Sequence, residues 1–176
     1  MEKQKKSELL MMVGAPGSGK SSWAEEVAKC CPDANIVSRD KVRFSMLSDK
    51  DDYFSKENEV FNEFISQIAD SVKHHQITIV DATHMNKKGR NKVFSRLTST
   101  LENVTKKAVV MNTTLGTCLA RNANREGRAL VPEPAIARMY KGFEMPTKEE
   151  GFEQIVIIGE DWKEWNSKYG ADLCSI

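Results

Sequence analysis

The sequence predicts an α/β domain built on a central parallel five-stranded sheet flanked by helices. Two observations carry this. Five short apolar runs alternate with longer amphipathic segments, and the runs are continuous rather than alternating, as in parallel strands covered on both faces. The first run also leads directly into Gly14-Ala15-Pro16-Gly17-Ser18-Gly19-Lys20-Ser21, which fits the phosphate-binding pattern G-x-x-x-x-G-K-[ST] without a mismatch.

Leu9-Leu10-Met11-Met12-Val13 reads as the first strand, and Trp23 to Ala28 continues the loop at helical spacing. Asn35 to Ser38 is a second short strand. Ser48-Asp49-Lys50-Asp51-Asp52 is an exposed connection after a short helix. Val60, Phe64, Ile68 and Val72 recur every four residues, which predicts a long helix from about Ser55 to Lys73. Ile77 to Asp81 is a buried strand ending in an acid. Lys87 to Leu101 is helical, with Val93, Phe94, Leu97 and Leu101 on one face and Lys88, Arg90, Lys92 and Arg96 on the other. Ala108 to Met111 and Ile155 to Ile158 complete the strands. Residues 121–132 carry too much charge to pack, and are expected to be a lid over a nucleotide.

Composition limits the alternatives. At 176 residues and 40% hydrophobic, the chain is expected to form one domain over 1–176 with a sizeable core. Lys+Arg 26 against Asp+Glu 25 leaves no global basic field of the kind many nucleic-acid binders carry. The four cysteines, Cys30, Cys31, Cys118 and Cys174, form no metal-ligand spacing. Cys30 and Cys31 close an apolar helix and read as buried free thiols, which suit a reducing cytosol. The basic N-terminus precedes an apolar stretch too short for a signal peptide, and no stretch reaches transmembrane length. A cytoplasmic protein without a membrane partner is the expectation.

Ligands of an open parallel sheet sit beyond the carboxyl ends of its strands. At the first such end, the glycines allow successive N–H groups to turn inward around phosphate, and the following helix adds its positive end. Lys20 is expected at the β- and γ-phosphates and the Ser21 hydroxyl at Mg²⁺. Residues 14–21 thus predict binding of ATP with Mg²⁺.

After the second strand, Asp40 is a candidate base for a hydroxyl acceptor. Arg43 lies three residues on, where a guanidinium can hold an anionic group of that acceptor. The same pair also reads as a helix cap with a surface ion pair. After the third strand, Asp81 is a candidate support for Mg²⁺ through water, or a cap of the next segment. His84 reads as a hydrogen-bonding residue rather than a base, and His74 and His75 as solvated. Arg121, Arg125 and Arg128 fall at i, i+4 and i+7, one face if helical, where a triphosphate relieves their repulsion; a solvated face is the other reading. The aromatic tail from Trp162 to Tyr169 reads as a helix packing its indoles on the sheet, or as a base-stacking segment.

Residues 14–21, then Arg39-Asp40 with Arg43, then Asp81 to His84, then Arg121 to Arg125, occur in the order seen in polynucleotide 5′-kinases. The chain resembles the kinase domain of polynucleotide kinase/phosphatases over most of residues 8–158. Val131-Pro132 through Lys141 resembles the phage type, and Phe143 to Thr147 with Glu150-Gly151-Phe152 the animal type. The resemblance implies a P-loop kinase fold with an arginine lid, and a role in nucleic acid repair. By the same resemblance Lys20 and Ser21 match the phosphate and metal residues, and Asp40 the general base for a 5′-hydroxyl. Arg43 matches the contact to an acceptor phosphate, and Arg125 the lid arginine on ATP. Where the family often reads Asp-Thr-Asn or Asn-Thr-Asn, this chain has Ala82-Thr83-His84, so its carboxylate aligns at Asp81 or is absent. The expected activity is transfer of the γ-phosphate to the 5′-OH of DNA or RNA. The alternatives are a kinase of a nucleoside, sugar or antibiotic hydroxyl, and a nucleotide-dependent switch protein with no acceptor.

Overall fold

The computed structural model describes residues 6–48 and 50–164. Five strands, β1 (Glu8–Val13), β2 (Ala34–Ser38), β3 (Ile77–Asp81), β4 (Thr105–Asn112) and β5 (Gln154–Gly159), form one parallel sheet in the order β2-β3-β1-β4-β5. β1 is central, with Met11 opposite Val80 on one side and Ala108 on the other. The chain leaves β1 toward β2, returns to β3, then crosses to β4. The crevice of such a sheet opens at the C-terminal end of β1.

Alternate residues of the strands face opposite layers, because the side-chain period of a strand is two. Leu9, Met11, Val37, Val80 and Ala108 pack against α3 (Glu57–His74) and α4 (Lys87–Arg96), through Phe61, Phe64, Ile68 and Val93 among others. Leu10, Met12, Ile79, Val109 and Met111 pack against α1 (Lys20–Cys30), through Trp23, Ala24 and Val27. A third cluster, Ala15, Met85, Cys118 and Ile136, fastens the phosphate loop to α5 (Leu115–Ala123) and α6 (Glu133–Lys141). Between β2 and α3 lies the short α2 (Arg39–Met46). Among the described residues no helix is long and apolar enough to cross a membrane.

The α/β expectation holds, and every predicted strand is present within a few residues. The structure corrects four finer readings. Arg90 is fully buried instead of lying on the polar face of α4. Its Nε and Nη2 donate to the Glu150 carboxylate at 2.8 and 2.9 Å, and Nη1 donates to the carbonyls of His84 and Glu144. α4 ends at Arg96 rather than Leu101, and the residues to Leu101 follow as turns. Cys30 is exposed and free, while Cys31 is buried and disulfide-bonded, so neither is a buried free thiol. Arg121, Arg125 and Arg128 do not share a helix face, because α5 stops at Ala123 and a separate 3-10 turn, Gly127–Ala129, carries Arg128. Trp162 is buried in the α1-side core; the rest of the aromatic tail, from Trp165, lies outside the described residues, as does Cys174.

Candidate active site

The loop between β1 and α1 is shaped by glycines with backbone angles that L side chains avoid. Gly17 (φ 83°) passes so close to α5 that a Cβ there would enter the Cys118 carbonyl, and Gly19 (φ 96°) hands the chain to α1 with no side chain capping its N-terminus. The free N–H groups of α1 therefore face an open anion site at the crevice. Ser18 is buried, and its carbonyl accepts from the Thr113 hydroxyl at 2.9 Å. This ties the loop to the end of β4.

Lys20 is the buried cation of this loop. Its Nζ donates to the Ala15 carbonyl at 2.8 Å and toward Ser18 Oγ at 3.5 Å. Burial lowers its pKa to about 8, opposed by the attraction of Asp81 and reinforced by repulsion from Arg125. That repulsion is felt at Lys20 although Arg125 is an exposed residue beyond the end of α5.

Ser21 and Asp81 meet across sixty positions of sequence. The Ser21 hydroxyl donates to Asp81 Oδ2 at 2.9 Å, and Asp81 is buried at the end of β3, beside Ser38 of β2. A cavity of about 180 Å³ opens on this pair, lined by Ser21, Glu25, Ser38, Asp40, Lys41, Phe44 and Asp81 with Ile36. The structure thus brings Ser21, Asp40 and Asp81 to one space.

Asp40 sits in the first turn of α2, its side chain largely in solvent. Arg43 is buried, unlike its partner. Its Nη1 donates to Asp40 Oδ1 at 3.1 Å and to the Tyr53 hydroxyl at 3.2 Å, and Nη2 pairs with Glu57, which also holds Arg39. Tyr53 donates its own proton to Asp40 Oδ1 at 3.2 Å. The Arg43 guanidinium lies 4.6 Å from the Tyr53 ring centroid. Tyr53 and Glu57 escaped sequence reasoning because neither matches a motif. The only signal was an acid at the start of the α3 pattern, facing two arginines one short helix earlier.

His84 is buried in a left-handed conformation (φ 44°), with Nδ1 2.9 Å from the Met12 carbonyl. A carbonyl only accepts, so Nδ1 carries the proton. Burial drives its pKa down to about 4, with the cations Arg39, Lys20 and Arg90 adding to the shift. It is neutral and structural in this site, matching the hydrogen-bonding expectation. Asn122 was also missed. Buried in α5, it donates to the Val131 carbonyl at 2.8 Å and accepts from the Val131 N–H at 3.1 Å, closing the 123–130 excursion like a clasp.

Residues 9–146 match the AAA domain family. The chain belongs to the AAA domain family. Within it the architecture is that of a P-loop kinase-like domain, which implies nucleotide binding. No curated protein matches this AAA domain chain in sequence. Solved structures share its fold. A gluconokinase from Sinorhizobium meliloti 1021 aligns at 15% identity with a TM-score of 0.55, over 98% of this chain and 89% of that one. A chain of the Pnkp1/Rnl/Hen1 RNA repair complex aligns at 22% identity and a TM-score of 0.68, over 80% of this chain but 45% of that one. The Deinococcus radiodurans tunicamycin resistance protein aligns at 13% identity and 0.60, over 95% and 98%.

Proposed function

We propose that this AAA domain protein transfers the γ-phosphate of ATP to the 5′-hydroxyl of DNA or RNA. The observation that carries the reading is the single cavity in which Asp40 opens beside Ser21 and Asp81. A hydroxyl entering there meets a carboxylate on one side and the phosphate loop on the other. Its proton passes to Asp40 as the oxygen attacks the γ-phosphorus, and the bond to the bridging β–γ oxygen breaks to release ADP.

The chain's own groups divide the remaining work. Lys20 and Arg125 stabilise charge on the transferred phosphoryl, and Arg121, at the end of α5 near Gly19, assists on the nucleotide. The residues 121–132 act as the lid of a single kinase domain. Ser21 and Asp81, a hydroxyl and a buried carboxylate in contact, fit the hard oxygen chemistry of Mg²⁺, which keeps several waters and binds through few protein groups. Bound there, Mg²⁺ would neutralise charge on the β- and γ-phosphates. Arg43, expected at an acceptor phosphate, is buried against Asp40, Tyr53 and Glu57, which supports a role in holding Asp40.

A second reading, a kinase of a nucleoside, sugar or antibiotic hydroxyl, is favoured by the modest cavity and the formal net charge of +1, and by the likeness to a gluconokinase. A switch protein with no acceptor would have no use for an exposed carboxylate facing the crevice. The test is transfer of labelled phosphate from ATP to 5′-OH oligonucleotides, nucleosides, sugars and tunicamycin in parallel. Labelling of the oligonucleotides alone supports the first reading. Labelling of a neutral small molecule with no oligonucleotide labelled overturns it.

A further inference from the structure

Beside Asp40, three aromatic rings stand together, Phe44 among them lining the cavity. Phe44 of α2 is 40% exposed and Phe54, in the turn before α3, is 66% exposed. Tyr53 joins them edge-to-face, with centroids 6.4 Å from Phe44 and 4.8 Å from Phe54, at 68° and 82°. The buried Arg43 braces the group from behind, 4.6 Å from the Tyr53 centroid and 5.8 Å from that of Phe54. Neither phenylalanine belongs to a core cluster, and Phe44 faces the same cavity as Asp40. Scattered exposed apolar residues are ordinary. A braced cluster hydrogen-bonded through Tyr53 to the candidate base is a built surface.

Charge does not identify its ligand. Glu25, Asp40 and Asp81 line the cavity against Lys41 alone, so this lining does not supply the grip on the acceptor through its phosphates. What it presents is π surface. We propose that Phe44 and Phe54 form a stacking platform for the terminal base of the acceptor, so that the hydroxyl delivered to Asp40 is borne by a nucleoside. This rests on the phosphotransfer reading above and adds the chemical class of group that the acceptor places beside its hydroxyl. Stacking on aromatic side chains tolerates any base, so the platform selects a base-bearing end over a bare sugar without selecting sequence.

The test uses two 5′-OH oligonucleotides identical except that one begins with an abasic residue. KM for each is measured with the native protein, with a Phe44→Ala/Phe54→Ala variant and with Phe44→Tyr/Phe54→Tyr. The native protein should favour the base-bearing end, and the alanine variant should erase that advantage. KM for the base-bearing strand should rise about 5- to 150-fold, the range of aromatic stacking on one base. The tyrosine variant, which keeps the rings, should restore the advantage. An advantage unchanged by the alanine variant, or absent from the native protein, overturns the platform while leaving the kinase reading in place. Labelling of sugars with no oligonucleotide labelled overturns both.

Discussion

Ser21, the second residue of α1, donates its hydroxyl to Asp81, the last residue of β3, at 2.9 Å. The contact exists because β1 and β3 are parallel neighbours, so β3 ends at the same carboxyl end of the sheet as the strand that leads into the phosphate loop. A serine and an acid that look unrelated in sequence become two oxygen groups of one site.

Asp81→Asn keeps the shape of this contact and removes its charge. Mg²⁺-dependent strengthening of ATP binding should fall about 10- to 100-fold, the usual cost of losing a group that supports a metal's ligands. ATP binding in the presence of a chelator should stay unchanged. Calorimetric titration with and without Mg²⁺ reads both, and equal losses in the two titrations would return Asp81 to a capping role.

Lys20 predicts a proton effect on binding. Its pKa is about 8 in the free protein, and a triphosphate beside it favours the charged form. Binding Mg·ATP should therefore take up a proton when the pH lies above about 8, and affinity should fall as pH rises through that value. At pH 7 the lysine is already charged and no uptake should occur. Calorimetry in two buffers of different ionisation enthalpy measures the uptake directly. Lys20→Ala should abolish it together with turnover while the fold persists by circular dichroism.

Much of this arrangement was legible in the chain itself. The phosphate loop, five strands and long α3 follow from local spacing, and Asp40 and Asp81 stand at strand ends that topology alone brings together. What stayed hidden depends on packing at long range. Arg90 reads as one more charge on a polar helix face, yet the Glu150 carboxylate and two carbonyls satisfy it in full burial. Arg43 reads as free for a substrate because its partner Glu57 lies beyond an irregular turn. Arg128 belongs to the same class. Its Nη2 reaches the carbonyls of Ser48 and Asp51 at 2.6 and 3.2 Å, a contact between two segments whose sequences carry no mutual signal.

That contact separates Arg128 from Arg125. Arg125 perturbs Lys20 and should act on charge that develops during transfer, so Arg125→Ala should cost about 10³–10⁵ in rate. Arg128 instead ties the segment after α5 to the 48–51 turn. Arg128→Ala should act by loosening that segment, lowering the rate less than tenfold. Single-turnover measurements compare the two, and equal losses would place both arginines on the nucleotide.

His84 predicts a pH dependence of stability. Its folded pKa, about 4, lies below the ordinary 6.5, so the unfolded chain binds more protons between those values. Stability should accordingly be lost as pH falls from 6.5 toward 4. The shift corresponds to on the order of 3 kcal/mol. His84→Asn tolerates the left-handed backbone and cannot titrate there. Its melting temperature should drop less than that of the native protein between pH 7 and 4.5, and parallel declines would assign acid sensitivity elsewhere.

Under the proposed phosphotransfer, variants of Arg43 and Asp40 test how an acceptor is handled. Asp40→Asn should bind ATP normally and lose about 10²–10⁴ in rate on every acceptor, as expected for a missing base. Arg43 admits two outcomes that differ in kind. A guanidinium gripping an acceptor phosphate would, when removed, raise KM for oligonucleotides and spare uncharged acceptors. A guanidinium that instead orients Asp40 would, when removed, lower kcat on all acceptors with little change in KM. The contacts of Arg43 to Asp40, Tyr53 and Glu57 predict the second pattern. Arg43→Ala also leaves Glu57 without its buried partner, so lost activity alone would be ambiguous. Glu57→Gln removes that objection, since it loosens Arg43 while leaving it in place and should reproduce the kcat loss in milder form. A KM effect confined to oligonucleotides in Arg43→Ala, with Glu57→Gln silent, would restore the acceptor-phosphate role.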